Sequence, residues 1–555
     1  MRLVDQSTKQ FVRDHIARQD DTGSPGSGGA SPYLRRCRSA IQAVLPALDS
    51  ARLKSFFRVA ESVTIQSILS CSAFTTHLHS KAFRYCLEQP DVGYFLPPIM
   101  RQFIVSRFCL SGIALLLVTL FGCPLMSVRA QEAFKEPDFS KFPAESGPIT
   151  LEVWSWVSGL DKAAKLFEQA YPDIKVHVNN VGGGPAEYQK LQTAIKAGSG
   201  GPDVAQIEYD FLPSFIVTDG LADLAKFGAN DLKSYFVPWT WGQVSPDGKA
   251  VYGIPQDTGP MALLFNKKIF DQYGLTVPTT WDEFTQQAEK LNQATGGKVK
   301  LINFFPTHAP WFISLAWASG AELFKTEGDS WVQTLNHPAC EKVLTYWDGL
   351  IKKKLVSTIP GFSAEFYNAI GSGQIASSIE AAWGPGVLAA SLNDKTSGEW
   401  NVAPLPQWEK GQPFRSGNWG GSCNVVPKQS KHLKAATLFS VWLNTAKGPV
   451  LSNWNSYGIF PASLAGVTSP ELNQPDKNPS KFCAGQNIAE IYSQASKAVN
   501  VDFAWAPWFA FVNDNYNKQI EALLSGKATA KQALDAWQAE SLKNAKGDGY
   551  EVKAK

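Results

Sequence analysis

Arginine nearly vanishes after residue 130: only Arg415 follows, so basic charge in the rest of the chain comes from Lys. Tryptophan shows the reverse bias, with all 18 Trp lying after residue 130. The first 130 residues carry 15 Lys and Arg against 8 Asp and Glu, a formal +7, and the remainder carries 37 against 41, a formal −4. A mildly acidic, Trp-rich body offers no support for nucleic-acid binding, which would want a basic stripe. Cysteine is scarce there too. Only Cys340, Cys423 and Cys483 follow residue 130, enough for one disulfide and one free thiol. No CxxC or Cys/His spacing suggests zinc, and His177, His308, His337 and His432 are widely scattered, so neither a metal site nor a cofactor is expected. The chain lacks a GxSxG nucleophile elbow and a phosphate-binding P-loop, and no catalytic motif takes their place.

Long apolar runs are also missing. The longest, Leu110–Phe121 (LSGIALLLVTLF), spans about twelve residues, short of the roughly 20 that a membrane-crossing helix needs. Its surroundings define a secretory signal over residues 100–130. Arg101 and Arg107 precede the run, and Val128-Arg129-Ala130 is a small-x-small cleavage site before Gln131. One of the four Met in the chain, Met100, stands directly before this signal. The expected native start is therefore Met100, with residues 1–99 a non-native or disordered extension. Leu120-Phe121-Gly122-Cys123 also resembles a lipobox, which offers anchoring through Cys123 as a second processing route. The mature part is expected in the periplasm or at the cell surface.

Downstream, strand and helix periodicities alternate. Ile149–Trp156 alternates with period two, Leu160–Tyr171 carries helical spacing through Ala163, Phe167 and Ala170, and Ile174–Val178 is a second strand. Tyr188, Leu191 and Ile195 mark a second helix, and Asp203–Ile207 a third strand after the turn signal at 198–202. This β-α-β-α-β order predicts an α/β fold with a parallel sheet. Thr280 and Thr529 each have capping-box spacing at a helix start. Lys352–Lys354 reads as a solvated helix end.

Several segments together resemble the extracellular solute-binding proteins of family 1, the group that includes maltodextrin-binding protein. They are LEVWSWVSGLDKAAKLFEQAYPDIKV, GSGGPDVAQIEYDFLPSFI with GLADL, and VYGIPQDTGPMALLFNKKIFDQYGLTVPTTWDEF. SSIEAAWGPG, WNVAPLPQW, GNWGGS and SYGIFPAS follow in order. The resemblance covers residues 146–545. It implies a two-lobed periplasmic-binding-protein fold with hinge crossings and a ligand cleft between the lobes. One lobe would take residues 131–256 and 420–457, the other 262–416 and 461–555, with crossings near Asp257, Asn418 and Tyr457.

A sugar offers hydroxyls at its rim and apolar C–H faces, so its site wants carboxylates or amides together with aromatic plates. By the resemblance, Tyr209 and Asp210 follow a strand at the carboxyl edge of the first sheet, where α/β proteins bind ligands. Asp210 matches a hydroxyl-binding carboxylate, or else caps the segment after it. Asp257 is a polar ligand contact at the first crossing, or a structural turn. Trp383 matches a ring that stacks on sugar, and Gly384-Pro385-Gly386 after it suits a loop. Trp508 and Trp311 match further aromatic positions. Trp156 either reaches the cleft or is core, while Asn418, Trp419 and Gly420 sit at the second crossing. Phe305, Trp317, Trp347 and Trp442 fall in core patterns. No carboxylate and lysine pair that matches the ligand contacts of maltodextrin-binding protein follows Trp156, so maltose itself is not implied.

The resemblance implies a monomeric receptor that binds a sugar by hinge closure, docks on the membrane permease subunits of an ABC importer, and is not an enzyme. Two rivals stand beside it. A glycosidase or lyase would need two carboxyls flanking one bond, for which Glu208 and Asp210 are the candidates. A receptor for a non-sugar solute, such as a polyamine or metal complex, is the other.

Overall fold

A computed structural model describes residues 134–328 and 330–555. The expected signal segment 100–130, Met100, Cys123 and the expected 1–99 extension lie outside the described residues. The strands are β1 (Ile149–Trp154), β2 (Ile174–Asn179), β3 (Val204–Glu208), β4 (Ile254–Pro255), β5 (Met261–Asn266) and β6 (Phe324–Glu327). They continue with β7 (Ser330–Gln333), β8 (Ser377–Ala381), β9 (Trp400–Pro404), β10 (Ser422–Val425) and β11 (Val552–Ala554).

The first sheet runs β2-β1-β3-β10-β4. Its β1, β2 and β3 are parallel and are linked by the helices Leu160–Ala170 and Pro185–Ala197, as the periodicity predicts. On β1 the buried side chains alternate, with Ile149, Leu151 and Val153 inward. The sheet is not wholly parallel. Strand β10 pairs antiparallel with β3 because it arrives from the far side of the molecule, returning after a long excursion.

That excursion builds a second, antiparallel sheet, β8-β5-β9. All six residues of β5 are buried, which fits a central strand covered on both faces. A small sheet, β11-β7-β6, joins the carboxyl end of the chain to this side. Both predicted helix starts have their caps. Thr280 accepts from the Glu283 amide at 3.1 Å, and Thr529 and Gln532 form the reciprocal capping box. The Glu283 side chain turns instead to Thr279, bonding its amide and hydroxyl. Lys352–Lys354 are exposed at a helix end, where Lys352 pairs with Asp348 and Lys353 with Glu289.

Segments passing between the two sheets are sewn together by backbone bonds. Thr258 donates to the Phe460 carbonyl at 2.9 Å and Trp419 to the Gly259 carbonyl at 2.8 Å, while Asp257 bridges Pro461 and Pro260 bridges Asn418. Contact here leaves no room for a side chain at Gly259, where a Cβ would lie 1.8 Å from the Trp419 carbonyl oxygen. The cysteine count allowed a disulfide. Cys340, Cys423 and Cys483 are instead all free and buried, in separate parts of the fold, and burial pushes each thiol up.

Candidate functional site

Between the two main sheets lies a cleft of about 320 Å³. Trp156, Gln206, Glu208, Gly421 and Ser422 come from the side of the first sheet, Phe362, Tyr367, Trp383 and Val387 from that of the second, and Asp257, Tyr457 and Ile459 from the crossings between them. The walls differ in chemistry: carboxylates, an amide and a hydroxyl face a largely aromatic and aliphatic surface.

The polar wall follows from strand placement. Gln206 and Glu208 sit two apart at the carboxyl end of β3, so their side chains leave the same face of the sheet. Ser422 begins β10 directly opposite Glu208. A hydrogen-bonded chain runs along this floor. The Ser155 hydroxyl donates to Gln206 at 2.6 Å, the Gln206 amide to Ser422 Oγ at 2.9 Å, and Ser422 Oγ to Asp257 Oδ1 at 2.5 Å. The Ser422 amide also donates to Asp257 Oδ1 at 2.9 Å. Such a chain fixes each rotamer before a ligand arrives. Glu208 is held separately, by the Tyr188 hydroxyl at 2.9 Å. Burial pushes the Asp257 carboxyl up to about 7 against the opposing Ser422 bonds, and the nearby Glu208 adds to the rise. Burial raises Glu208 as well, opposed by the Tyr188 bond.

On the apolar wall, Trp383 is half-buried and its Nε1 donates to the Trp419 carbonyl at 3.1 Å. The Trp419 ring lies edge-on to it at 4.8 Å, itself buried against Phe305, His308 and Phe362. Burial drives the His308 imidazole down to about 4, leaving it a neutral part of this cluster. Gly384-Pro385-Gly386 is not the loop expected. It opens the helix Gly384–Ser391 with Trp383 as N-cap, because proline in a first helical turn forfeits no intrahelical bond. The helix start still leaves the Trp383 ring facing the cleft.

The structure brings Trp156, Glu208, Asp257 and Trp383 together in the cleft, with Gly420 between Trp383 and Glu208, and places Tyr209, Asp210, Trp311, Asn418, Trp419 and Trp508 outside its lining. Asp210 is buried beside Glu208 rather than lining the cleft, and its carboxyl is raised by burial and then by the Glu208 charge. Nor does Asp210 cap the next helix, whose N-cap is Phe211 with no side-chain bond. Asp210 therefore does not join Glu208 as a pair presented to a ligand. Tyr209 is buried edge-on to Trp239 at 5.2 Å. Trp311 is fully buried, donating to the Ile379 carbonyl at 3.1 Å within an aromatic core of Phe304, Phe305 and Trp347. Trp508 is buried too. Its Nε1 donates to Gln333 Oε1 at 2.8 Å and its ring packs on Trp331 and Tyr550. Asn418 spends both ends of its amide on the crossing, accepting from the Gly259 amide and donating to the Gly420 carbonyl, each at 2.7 Å. Gly420, with φ +67°, lets the chain turn beside Trp383. Phe305, Trp317 and Trp347 are core as expected, and Trp442 is half-buried against Phe167.

Sequence reasoning missed Gln206, Phe362, Tyr367, Val387, Ser422, Tyr457 and Ile459 as lining residues. The Gln206–Glu208 spacing at a strand end carried a readable signal for the first. The others come from segments distant in sequence and carried none.

Two α/β lobes joined by sewn crossings, with a polar wall facing an aromatic one, define a two-lobed receptor that holds its ligand in the cleft. The chain belongs to the bacterial extracellular solute-binding protein family, whose model matches residues 154–448. The arabinooligosaccharide-binding protein of Bacillus subtilis is 28% identical over 413 residues, which are 71% of this chain and 92% of that protein. Among solved structures, the ABC-transporter-associated binding protein of B. animalis subsp. lactis, in complex with β-1,6-galactobiose, has a TM-score of 0.64 at 30% identity. It covers 73% of this chain and 99% of its own. The galacto-N-biose/lacto-N-biose I-binding protein of Bifidobacterium longum, with lacto-N-biose, has a TM-score of 0.64 at 28% identity, over 74% of this chain and 100% of its own.

Proposed function

We propose that this chain is an extracytoplasmic receptor for a sugar or short oligosaccharide, which it hands unaltered to the membrane subunits of an ABC importer. The observation that carries the reading is the asymmetry of the cleft. Glu208 and Asp257 offer acceptors for hydroxyl protons, while Trp383 and Trp156 offer flat faces for C–H groups. Proteins of the same family with galactobiose or lacto-N-biose bound, and a relative named for arabinooligosaccharides, support the ligand class. Ligand touching both walls favours the closed arrangement, since only contacts made in that state shift the balance. The receptor acts as a monomer, exported through the 100–130 signal to the periplasm or cell surface, by plain cleavage or by anchoring at Cys123. Among the described residues no helix is long and apolar enough to cross a membrane.

The test is a thermal-shift and calorimetric screen of the purified protein against mono- and oligosaccharides, with polyamines as the contrasting class. Ligand at a thousandfold excess over its dissociation constant stabilises the fold by about 4 kcal/mol. A shift with polyamines and none with any saccharide would reject the reading.

A further inference from the structure

Phe362 stands out among the residues of the cleft. Its backbone has φ +61°, a left-handed conformation in which a bulky aromatic side chain is strained. The residue is 38% exposed, and it is the only aromatic among the large hydrophobics exposed in the described residues. Strained backbone persists where the surroundings over-determine it, and here they do. Gly361 presses so closely on Phe305 that a Cβ would lie 2.3 Å from that ring. Ser363 ties the turn from the other side, donating to the Pro360 carbonyl at 2.7 Å and accepting from the Phe366 amide at 3.1 Å. The fold itself would be served by Gly or Asn at 362, which adopt this conformation with little cost. What phenylalanine adds is a ring, stacked on Phe305 at 6.0 Å and standing 6.2 Å from Trp383 with a 38° tilt. Both rings line the same wall of the cleft.

Trp383 and Phe362 are thus neighbouring apolar plates, inclined to one another, facing one polar wall. A single sugar ring covers one of them. We infer that Phe362 is the specificity-determining second plate, which makes this cleft select ligands of at least two linked sugar rings over the single sugar. This rests on the sugar-receptor reading and narrows it.

Calorimetry on the full chain would compare disaccharides, galactobiose and arabinobiose among them, with their constituent monosaccharides, for wild type, Phe362→Gly and Phe362→Tyr. The wild type should favour a disaccharide. Phe362→Gly should lose at least about tenfold in disaccharide affinity, the scale of an aromatic anchor removed from a desolvated site, with monosaccharide affinity changing less than about twofold. Phe362→Tyr, which keeps the ring, should retain both. Glycine relieves the left-handed strain but loses the packing of the ring on Phe305 and Trp419, so the urea midpoint of Phe362→Gly should stay near that of the wild type. Unchanged disaccharide affinity in Phe362→Gly, or mono- and disaccharide affinity falling together with the urea midpoint, overturns the inference and leaves the sugar reading intact. A wild type that binds no saccharide overturns both.

Discussion

Replacing Trp383 with alanine separates a ligand-contacting ring from a structural one. The indole is half-buried, so its loss should cost the fold less than the about 3–5 kcal/mol of a core Trp→Ala change. The Nε1 bond to the Trp419 carbonyl contributes about 1 kcal/mol. Partial loss of packing against Trp419 and Phe362 brings the expected destabilisation to about 2 kcal/mol. Binding should suffer more. A ring anchoring a ligand in a closed, water-excluded cleft contributes about 2–4 kcal/mol, or roughly 30- to 1,000-fold in affinity. Trp419→Ala is the matched control, because Trp419 is buried behind Trp383 and takes no place among the lining residues. It should cost about 3–5 kcal/mol of stability. Calorimetric titration and urea unfolding on both variants supply the comparison. Unchanged affinity in Trp383→Ala, with a stability loss equal to that of Trp419→Ala, would refute the stacking role.

Asp257→Asn keeps the acceptor for Ser422 and removes the titration. The Asp257 carboxyl is raised in the fold from 3.8 to about 7, so its contribution to stability is fully present only below the lower value. That stability drains away as pH climbs toward 7 and levels off above it, by at most about 4 kcal/mol. The variant should therefore show a flatter dependence between pH 4 and 7, and a slope identical to wild type in urea titrations would count against the burial argument. Glu208→Gln should weaken saccharide binding about tenfold, the scale of a hydrogen bond to a charged acceptor, and full affinity by calorimetry would remove Glu208 from the site. Trp508→Ala should lower the unfolding free energy by about 3–5 kcal/mol, and a large affinity change without that loss would place its ring at the ligand after all. Chromatography after long incubation should return the saccharide unchanged, so any new product would contradict the receptor reading.

What the sequence determined by itself was local. Period-two and helical spacings located β1 to β3 and their helices, because a half-buried strand or helix must alternate its apolar residues with its own period. Thr280 and Thr529 marked helix starts, because orphan amides need a nearby oxygen. Resemblance extended this to two lobes and a cleft, and Trp156, Asp257 and Trp383 do reach it. Tertiary structure decided which of the many aromatics face the ligand. Trp311, Trp383 and Trp508 carry similar local signals, yet Trp311 finds the Ile379 carbonyl and Trp508 finds Gln333, partners 68 and 175 positions away. A buried indole N–H is stabilised by such a partner, and no local pattern names it. The polar wall has the same origin. Gln206 meets Ser422 across 216 positions, and Ser422 meets Asp257 across 165, because one strand returns antiparallel from the second sheet. A site built where the chain crosses itself is specified by the packing of distant segments, which period and propensity do not record.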